Sequence, residues 1–399
     1  MLARVFEVLD GAPSREAFRL AGRAIPRIVG EFWTARQRQA CSLHEISYRA
    51  CFKPQLPRYF IERLTRPGDV VYDPFSGRGT TAVEAALLGR RVIANDVNPL
   101  GVILTAPRLR PPTLEVVADR LARIPNASQR AEVDLSMFFH PDTEREIVGL
   151  RSYLAARRQA GEEDDVDAWI RMVATNRLTG HSRGFFSVYT LPPNQAATPE
   201  RQRRLNARLH QQPEYRDTRA IILRKTASLL RGLTEAQRAN LRTAAESALL
   251  LTCDARSTPA IPDGGVQLTV TSPPFLDVVQ YAADNWLRCW FNGIIADEIA
   301  RRITLTRTPE AWAAVMQDVF KELYRVTQPG GWVAFEVGEV RRGRVRLDEH
   351  VAPIGESAGF TCAAILVNQQ RFTKTAHIWG VANNACGTNT NRIVVFCKE

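Results

Sequence analysis

The chain of 399 residues reads as an α/β protein, with a doubly wound, largely parallel sheet of seven strands and one mainly helical inserted domain. Short β-branched runs alternate with helical patterns after Gly68, and about 145 residues between the second and third runs carry no strand periodicity. The composition, 45% hydrophobic and 24% charged, is that of a globular chain, so disorder and fibrous architectures do not fit.

Residues 1–40 are expected to form one or two packing helices. The first strand is read at 69–75 (DVVYDPF) and the second at 90–96 (RRVIAND), with a helix over Thr80–Leu88 between them. The other strands fall at 247–253, 266–272, 331–337, 362–368 and 391–397. Helices are expected around Ala282–Phe291 and over Pro309–Val326, the second stopped by Gln-Pro-Gly-Gly. Residues 41–104 and 247–399 then form the sheet domain, and 105–246 the basic insertion. Within the insertion, GEEDDVD (161–167) reads as a solvated turn between helices.

No apolar run approaches the ~18 residues that span a bilayer, and the N-terminal MLARVFEVLDGAPSREAF sets acids and arginines where a signal peptide needs an apolar stretch. A cytoplasmic chain without membrane contact is expected. Seven cysteines include no C-x-x-C pair and six histidines no i, i+4 pair, so packed reduced thiols are expected and no metal site.

The net charge of +11 is concentrated. From Arg171 to Arg242, fourteen Arg and Lys face four acids, a balance of +10 against +1 for the rest of the chain. A charge confined in this way points to a polyanionic partner, nucleic acid before membrane, although a solvated helical face gives the same count. Only five of the 53 basic residues are lysine, and arginine's planar fork suits phosphates and guanine edges, although a GC-rich genome produces the same skew. Arg177, Arg183, Arg201, Arg203 and Arg204 are the candidate DNA contacts, on the segment NRLTGHSRGFFSVYTLPPNQ (176–195) and the arginine-rich helix after it.

Asp73-Pro-Phe-Ser-Gly-Arg-Gly-Thr-Thr81 ends an apolar strand and enters a helix, where Gly77 and Gly79 allow the backbone close to a ligand such as an adenosyl group, with Thr80 opening the helix. The phosphate loop G-x-x-x-x-G-K-[ST] and the full G-x-G-x-x-G are both absent, which weakens triphosphate and NAD readings. Asp96 ends the second strand, about twenty residues on, where a carboxylate accepts from ribose hydroxyls. Asp254 ends the third strand, placed for an adenine amino group or for capping the next turn.

Thr271-Ser272-Pro273-Pro274-Phe275 follows the fourth strand, and its two prolines stop the ladder and leave rigid, outward-facing acceptors. Ser272 Oγ and a neighbouring carbonyl suit both hydrogens of an exocyclic amine, and Phe275 offers a stacking face.

With these two elements the chain resembles the S-adenosylmethionine-dependent DNA amino-methyltransferases, which modify cytosine N4 or adenine N6. DPFSGRGTT (73–81) resembles their cofactor motif and TSPPF (271–275) their catalytic motif, while HEISYRACFKPQLP (44–57) resembles a third element whose Phe52 packs near the methionine end of the cofactor. The resemblance spans residues 44–104 and 247–399. It implies the seven-stranded methyltransferase sheet, cofactor roles for Asp73, Phe75, Gly77, Gly79, Asp96 and Asp254, and catalytic roles for Ser272, Pro273, Pro274 and Phe275. Tyr is commoner than Phe at position 275, so stacking survives there without a hydroxyl. It also makes the insertion the target-recognition domain for double-stranded DNA.

No cysteine sits in a Pro-Cys setting, so C5-cytosine chemistry does not fit. Serine at position 272 resembles the N4 enzymes and sets cytosine N4 ahead of adenine N6. N2-guanine methylation of RNA, methylation of a protein glutamine, and a DNA-binding protein that retains an inactive frame are the competing readings. The recognition sequence, an accompanying restriction nuclease and the oligomeric state stay open.

Overall fold

Apolar alternation along the strands sets two buried faces, because successive side chains of a strand point to opposite sides. The computed structural model describes residues 6–8, 13–33, 40–48, 51–191, 198–274, 281–304, 306, 308–340, 345–369 and 390–399. In chain order the elements are β1 (Ser14–Leu20), β2 (Arg23–Gly30), α1 (Gln55–Leu64), β3 (Val70–Asp73), α2 (Thr80–Leu87) and β4 (Arg91–Asn95). Seven helices follow: α3 (Leu100–Leu109), α4 (Leu114–Arg123), α5 (Pro141–Gln159), α6 (Asp165–Arg177), α7 (Pro199–Leu209), α8 (Thr218–Leu230) and α9 (Glu235–Ser247). The chain then returns through β5 (Leu249–Leu251), β6 (Val266–Thr271), α10 (Tyr281–Asn292), α11 (Ala296–Arg302), α12 (Pro309–Val326) and β7 (Thr327–Val337). It ends with the short pair β8 (Glu339–Val340) and β9 (Val345–Arg346), α13 (Leu347–Ser357), β10 (Thr361–Gln369) and β11 (Thr390–Cys397).

The main sheet runs β1-β2-β10-β11-β7-β6-β3-β4-β5. The seven expected strands are all present, but the sheet has nine, which corrects the count of seven. The extra two are β1 and β2, a hairpin in the segment expected to be helical. Its two-residue turn uses positive φ at Ala21 (47°) and Gly22 (81°), and β2 pairs in parallel with β10. The charged run SREAFRL is compatible with a helix surface; the open edge of β10 decides otherwise, since an unpaired strand edge is satisfied by adding strands.

Val71, Val92 and Val270 face α1 and α2 in one buried cluster, while Tyr72, Ile93 and Phe335 face α12 and α13 in the other. Thr308 caps α12 by accepting from the Ala311 amide, which fixes its start at Pro309. Trp169, Phe138 and Leu229 of the segment between β4 and β5 belong to the same buried cluster as Val71 and Val83, so these helices build outward on the sheet's own core. The acidic run turns between α5 and α6 as expected, with Gly161, Glu162, Asp164 and Asp165 exposed, and its far end enters the fold. Asp164 caps α6 in a capping box with Asp167, and the fully buried Asp167 carboxylate takes Arg120, Arg157 and Tyr153.

Strand order positions the site. From β3 the chain goes outward through β4 and β5, then crosses back to β6 and β7 on the other flank. A crevice opens at such a reversal, beyond the carboxyl ends of the two central strands. Those ends are Asp73 on β3 and Thr271 on β6.

Candidate active site

The loop after β3 is held by its own arginine. Gly77 and Gly79 adopt φ of +51° and +73°, and Arg78 between them turns inward to donate to the His44 and Ile46 carbonyls. Arg108 of α3 donates in turn to the Arg78 and Leu43 carbonyls. Burial lowers the Arg108 guanidinium to about 9, and the nearby Arg78 charge adds to the shift. The segment that precedes the loop is thereby fixed against it. His44 Nε2 lies 2.7 Å from the Glu84 carboxylate, and burial lowers the His44 pKa. Phe52 and Tyr48 of this segment line the cleft with Phe75, Gly77, Thr80 and Asp96.

Asn95 joins three strand ends. Its amide donates to the Pro74 and Cys253 carbonyls at 3.2 and 3.0 Å, and its oxygen accepts from the Cys253 amide at 2.8 Å. These bonds set the separation of the two acids that follow. Asp96 accepts from the Gly77 and Asn98 amides at 2.8 and 2.9 Å, and burial raises its carboxyl to about 6. Asp254 lines the same cleft while its carboxylate accepts from the Arg256 side chain and amide, so it also caps its turn. Arg256 holds the Asp254 carboxyl below its ordinary value.

Two residues read as cofactor contacts, Asp73 and Gly79, also pack beneath the cleft. Asp73 is 1% exposed and accepts from the Thr271 hydroxyl at 2.6 Å, tying β3 to β6; burial raises it to about 7. Thr81 reinforces the tie by donating to the Val270 carbonyl at 3.1 Å. Gly79 packs on Thr105, where an added Cβ would lie 2.1 Å from Oγ1. Both residues shape the loop from below.

Ser272, Pro273 and Pro274 reach the cleft from β6, next to the loop. Phe275 lies outside the described residues. Trp312 Nε1 of α12 donates to the Pro274 carbonyl at 3.0 Å. Glu336 of β7 lies beside Ser272, and the serine hydroxyl counters the upward shift that burial imposes on its carboxyl. Sequence reasoning found neither Trp312 nor Glu336, since both sit among apolar residues of regular elements. Arg78, Asn95 and Thr271 lay inside the quoted motifs but were given no role.

A ligand with ribose hydroxyls, an amino group and an adenine face fits this set. Two strand-end carboxylates supply acceptors, Phe52 and Phe75 supply apolar faces, and the positive φ of Gly77 holds the backbone open. Gly101 leaves room for Asp96, since a Cβ there would lie 2.8 Å from the Asp96 Cβ.

The arginines of the insertion separate into two groups. Arg177 is 9% exposed, stacks 4.1 Å from the Phe185 ring and donates to Asn176, so it is a packing residue and not a surface contact. Burial, with Arg288 nearby, lowers it to about 10. Arg183, Arg201, Arg203 and Arg204 are exposed, and Arg203 is paired with Asp134 at 2.8 Å. Arg201, Arg204 and Arg208 recur at helical spacing along α7, which is anchored by the buried Gln202 and Leu205.

Residues 22–100 match the DNA methylase family. The chain is 36% identical over 63 residues to the type II methyltransferase M.MjaII of Methanocaldococcus jannaschii, covering 16% of this chain and 12% of that protein. It is 50% identical over 46 residues to the type II methyltransferase M2.DpnII of Streptococcus pneumoniae, covering 10% of this chain and 17% of the relative. The matches thus span less than a fifth of either relative. Among solved structures, it is similar to TrmN from Thermus thermophilus, at 14% identity and a TM-score of 0.34 over 91% of this chain and 52% of that one. The rRNA methyltransferase aviRa from Streptomyces viridochromogenes gives 14% identity and 0.35 over 96% of both chains.

Proposed function

We propose that this chain, whose residues 22–100 match the DNA methylase family, methylates the exocyclic amine of a base flipped out of duplex DNA, using S-adenosyl-L-methionine, with cytosine N4 ahead of adenine N6. The observation that supports this most is the meeting of the glycine loop and Asp96 with Ser272-Pro273-Pro274 in one cleft at the reversal of strand order. Cytosine is preferred because the first catalytic position carries serine. A separate restriction nuclease is the companion such an enzyme implies.

In this reading Asp96 takes the ribose hydroxyls, Asp254 the adenine amino group, and Phe52 and Phe75 flank the bound cofactor, which supplies a methyl group on a sulfonium. Ser272 Oγ and the Pro273 carbonyl accept the two amine hydrogens, which turns the nitrogen lone pair out of conjugation with the ring and toward the methyl group. The helices between β4 and β5 form the target-recognition part, with Arg183, Arg201 and Arg204 against phosphates. Sequencing DNA from cells that express the protein, with a readout separating N4-methylcytosine from N6-methyladenine, tests the reading. Unmodified DNA overturns it.

Asp96→Ala is expected to weaken S-adenosylmethionine binding 10- to 100-fold, about 1.5–3 kcal/mol for charge-assisted hydrogen bonds, measured by titration calorimetry. Burial raises Asp96 to about 6, and the hydroxyls donate to its ionised form, so affinity in the parent falls as pH drops through that value. The variant loses that pH dependence. A second expectation concerns salt. Arg201→Ala with Arg204→Ala should flatten the slope of log K against log salt by about 0.9 per lost phosphate contact, whereas Arg203→Ala, already paired with Asp134, should change it less. Salt-titrated binding to duplex DNA measures both, and an unchanged slope in the double variant reduces α7 to a solvated face.

A further inference from the structure

Ser272 can accept a hydrogen bond from an amine, but a neutral hydroxyl does not retain the proton that methylation releases. The parallel register of β6 and β7 sets Thr271 opposite Phe335, and therefore Ser272 beside Glu336. Glu336 is 7% exposed and points to the side of the sheet that carries Ala334 and Val270. Its carboxylate accepts from the Asn391 side-chain amide of β11 on one flank, and on the other the register sets the Ser272 hydroxyl beside it. Burial raises its pKa, and these two uncharged groups oppose the shift. A buried acid with no cationic partner among these contacts is costly, and glutamine would fill the same space without that cost. What glutamate adds is the capacity to take a proton.

Resting on the methyl-transfer reading above, we propose that Glu336 is a positioning residue that holds the Ser272 hydroxyl proton, so that Oγ presents its lone pairs to the target amine, and that it receives the proton the amine sheds. The nitrogen lone pair forms the new N–C bond as the S–C bond breaks with its electron pair remaining on sulfur. The surplus amine proton passes to Ser272 Oγ as the Ser272 proton passes to Glu336, and the serine ends unchanged. The protonated Glu336 returns its proton to solvent between turnovers.

The test compares Glu336→Gln, Glu336→Asp, Ser272→Ala and the double variant Ser272→Ala/Glu336→Gln in single-turnover methyl transfer, with cofactor affinity from calorimetry. Glu336→Gln should slow transfer about 100-fold with cofactor affinity within about twofold, and the double variant should be no slower than Ser272→Ala alone. Glu336→Asp should outrun Glu336→Gln, although glutamine preserves packing better; a purely structural role predicts the reverse. Independent of activity, the infrared carboxyl band isolated as the difference between the parent and Glu336→Gln should shift when Ser272 becomes alanine. Additive losses, glutamine equal to or better than aspartate, or an unshifted band overturn the proposal. A parent that methylates RNA and no duplex, with aspartate still ahead of glutamine, overturns the DNA reading and leaves this one standing.

Discussion

Ser272→Ala is expected to lower the single-turnover rate by about two to three orders of magnitude, roughly 3–4 kcal/mol of transition-state stabilisation, while cofactor affinity stays within about twofold. The asymmetry follows from position. Ser272 projects from the end of β6, and the acids proposed to hold the cofactor, Asp96 and Asp254, follow the ends of β4 and β5, so removing the hydroxyl leaves the Asn95 clamp between those strand ends intact. The loss also removes the serine hydroxyl that opposes the upward shift of the buried Glu336 carboxyl, which adds to the cost of that carboxylate. Rapid-quench methyl transfer to a saturating DNA substrate, beside calorimetry with the cofactor, separates the two quantities. A variant that keeps near-parental turnover would mean that the Pro273 carbonyl alone orients the amine, and Ser272 would leave the catalytic set.

Gly79→Ala is expected to destabilise the protein by about 2–4 kcal/mol, from positive-φ strain of about 1–2 kcal/mol together with overpacking of similar size. Its φ is +73°, and a Cβ would lie 2.1 Å from Thr105 Oγ1, 2.7 Å from its Cγ2 and 2.9 Å from its Cβ. Thr105 is 1% exposed on α3 and has little room to retreat. Gly77→Ala is the matched comparison. At φ +51° it carries the strain, but its Cβ would meet Tyr48 and Cys51 at the ordinary distances of 3.5 and 3.6 Å, so a loss nearer 1 kcal/mol is expected. Thr105→Ala should recover part of the Gly79→Ala loss and nothing of the Gly77→Ala loss. Urea unfolding followed by circular dichroism measures the parent, the three single variants and the two double variants, and equal losses at the two glycines would remove the packing argument.

The resemblance assigns both glycines to the cofactor, and the fold gives them different packing. Gly77 faces the cleft and Gly79 faces a helix, a difference that depends on α3 returning beneath the loop and cannot be seen in the spacing G-x-G. Asp73 gains its partner in the same way. Its position at a strand end was legible, but its partner Thr271 lies 198 residues away and meets it only because β6 inserts beside β3. Arg177 and Asp167 were counted as surface charges, and both are buried, because charge counting carries no information about which face of a helix turns inward.

The sequence by itself determined the seven central strands, the helix Pro309–Val326, and the two motifs that meet in the cleft. Each is a local signal: alternation or an apolar run for a strand, proline and paired glycine for a boundary, and backbone freedom where a loop must approach a ligand. Tertiary structure alone decided that SREAFRL and RAIPRIVG become strands at this end of the sheet, because β2 pairs with β10, more than 330 residues further along the chain, and β1 adds to β2. It also decided that Ser272 faces Glu336, that Trp312 takes the Pro274 carbonyl, and that Arg78 fixes the segment from His44 to Ile46. These contacts arise from strand order and register, which bring together side chains whose own neighbours in the chain give no sign of them.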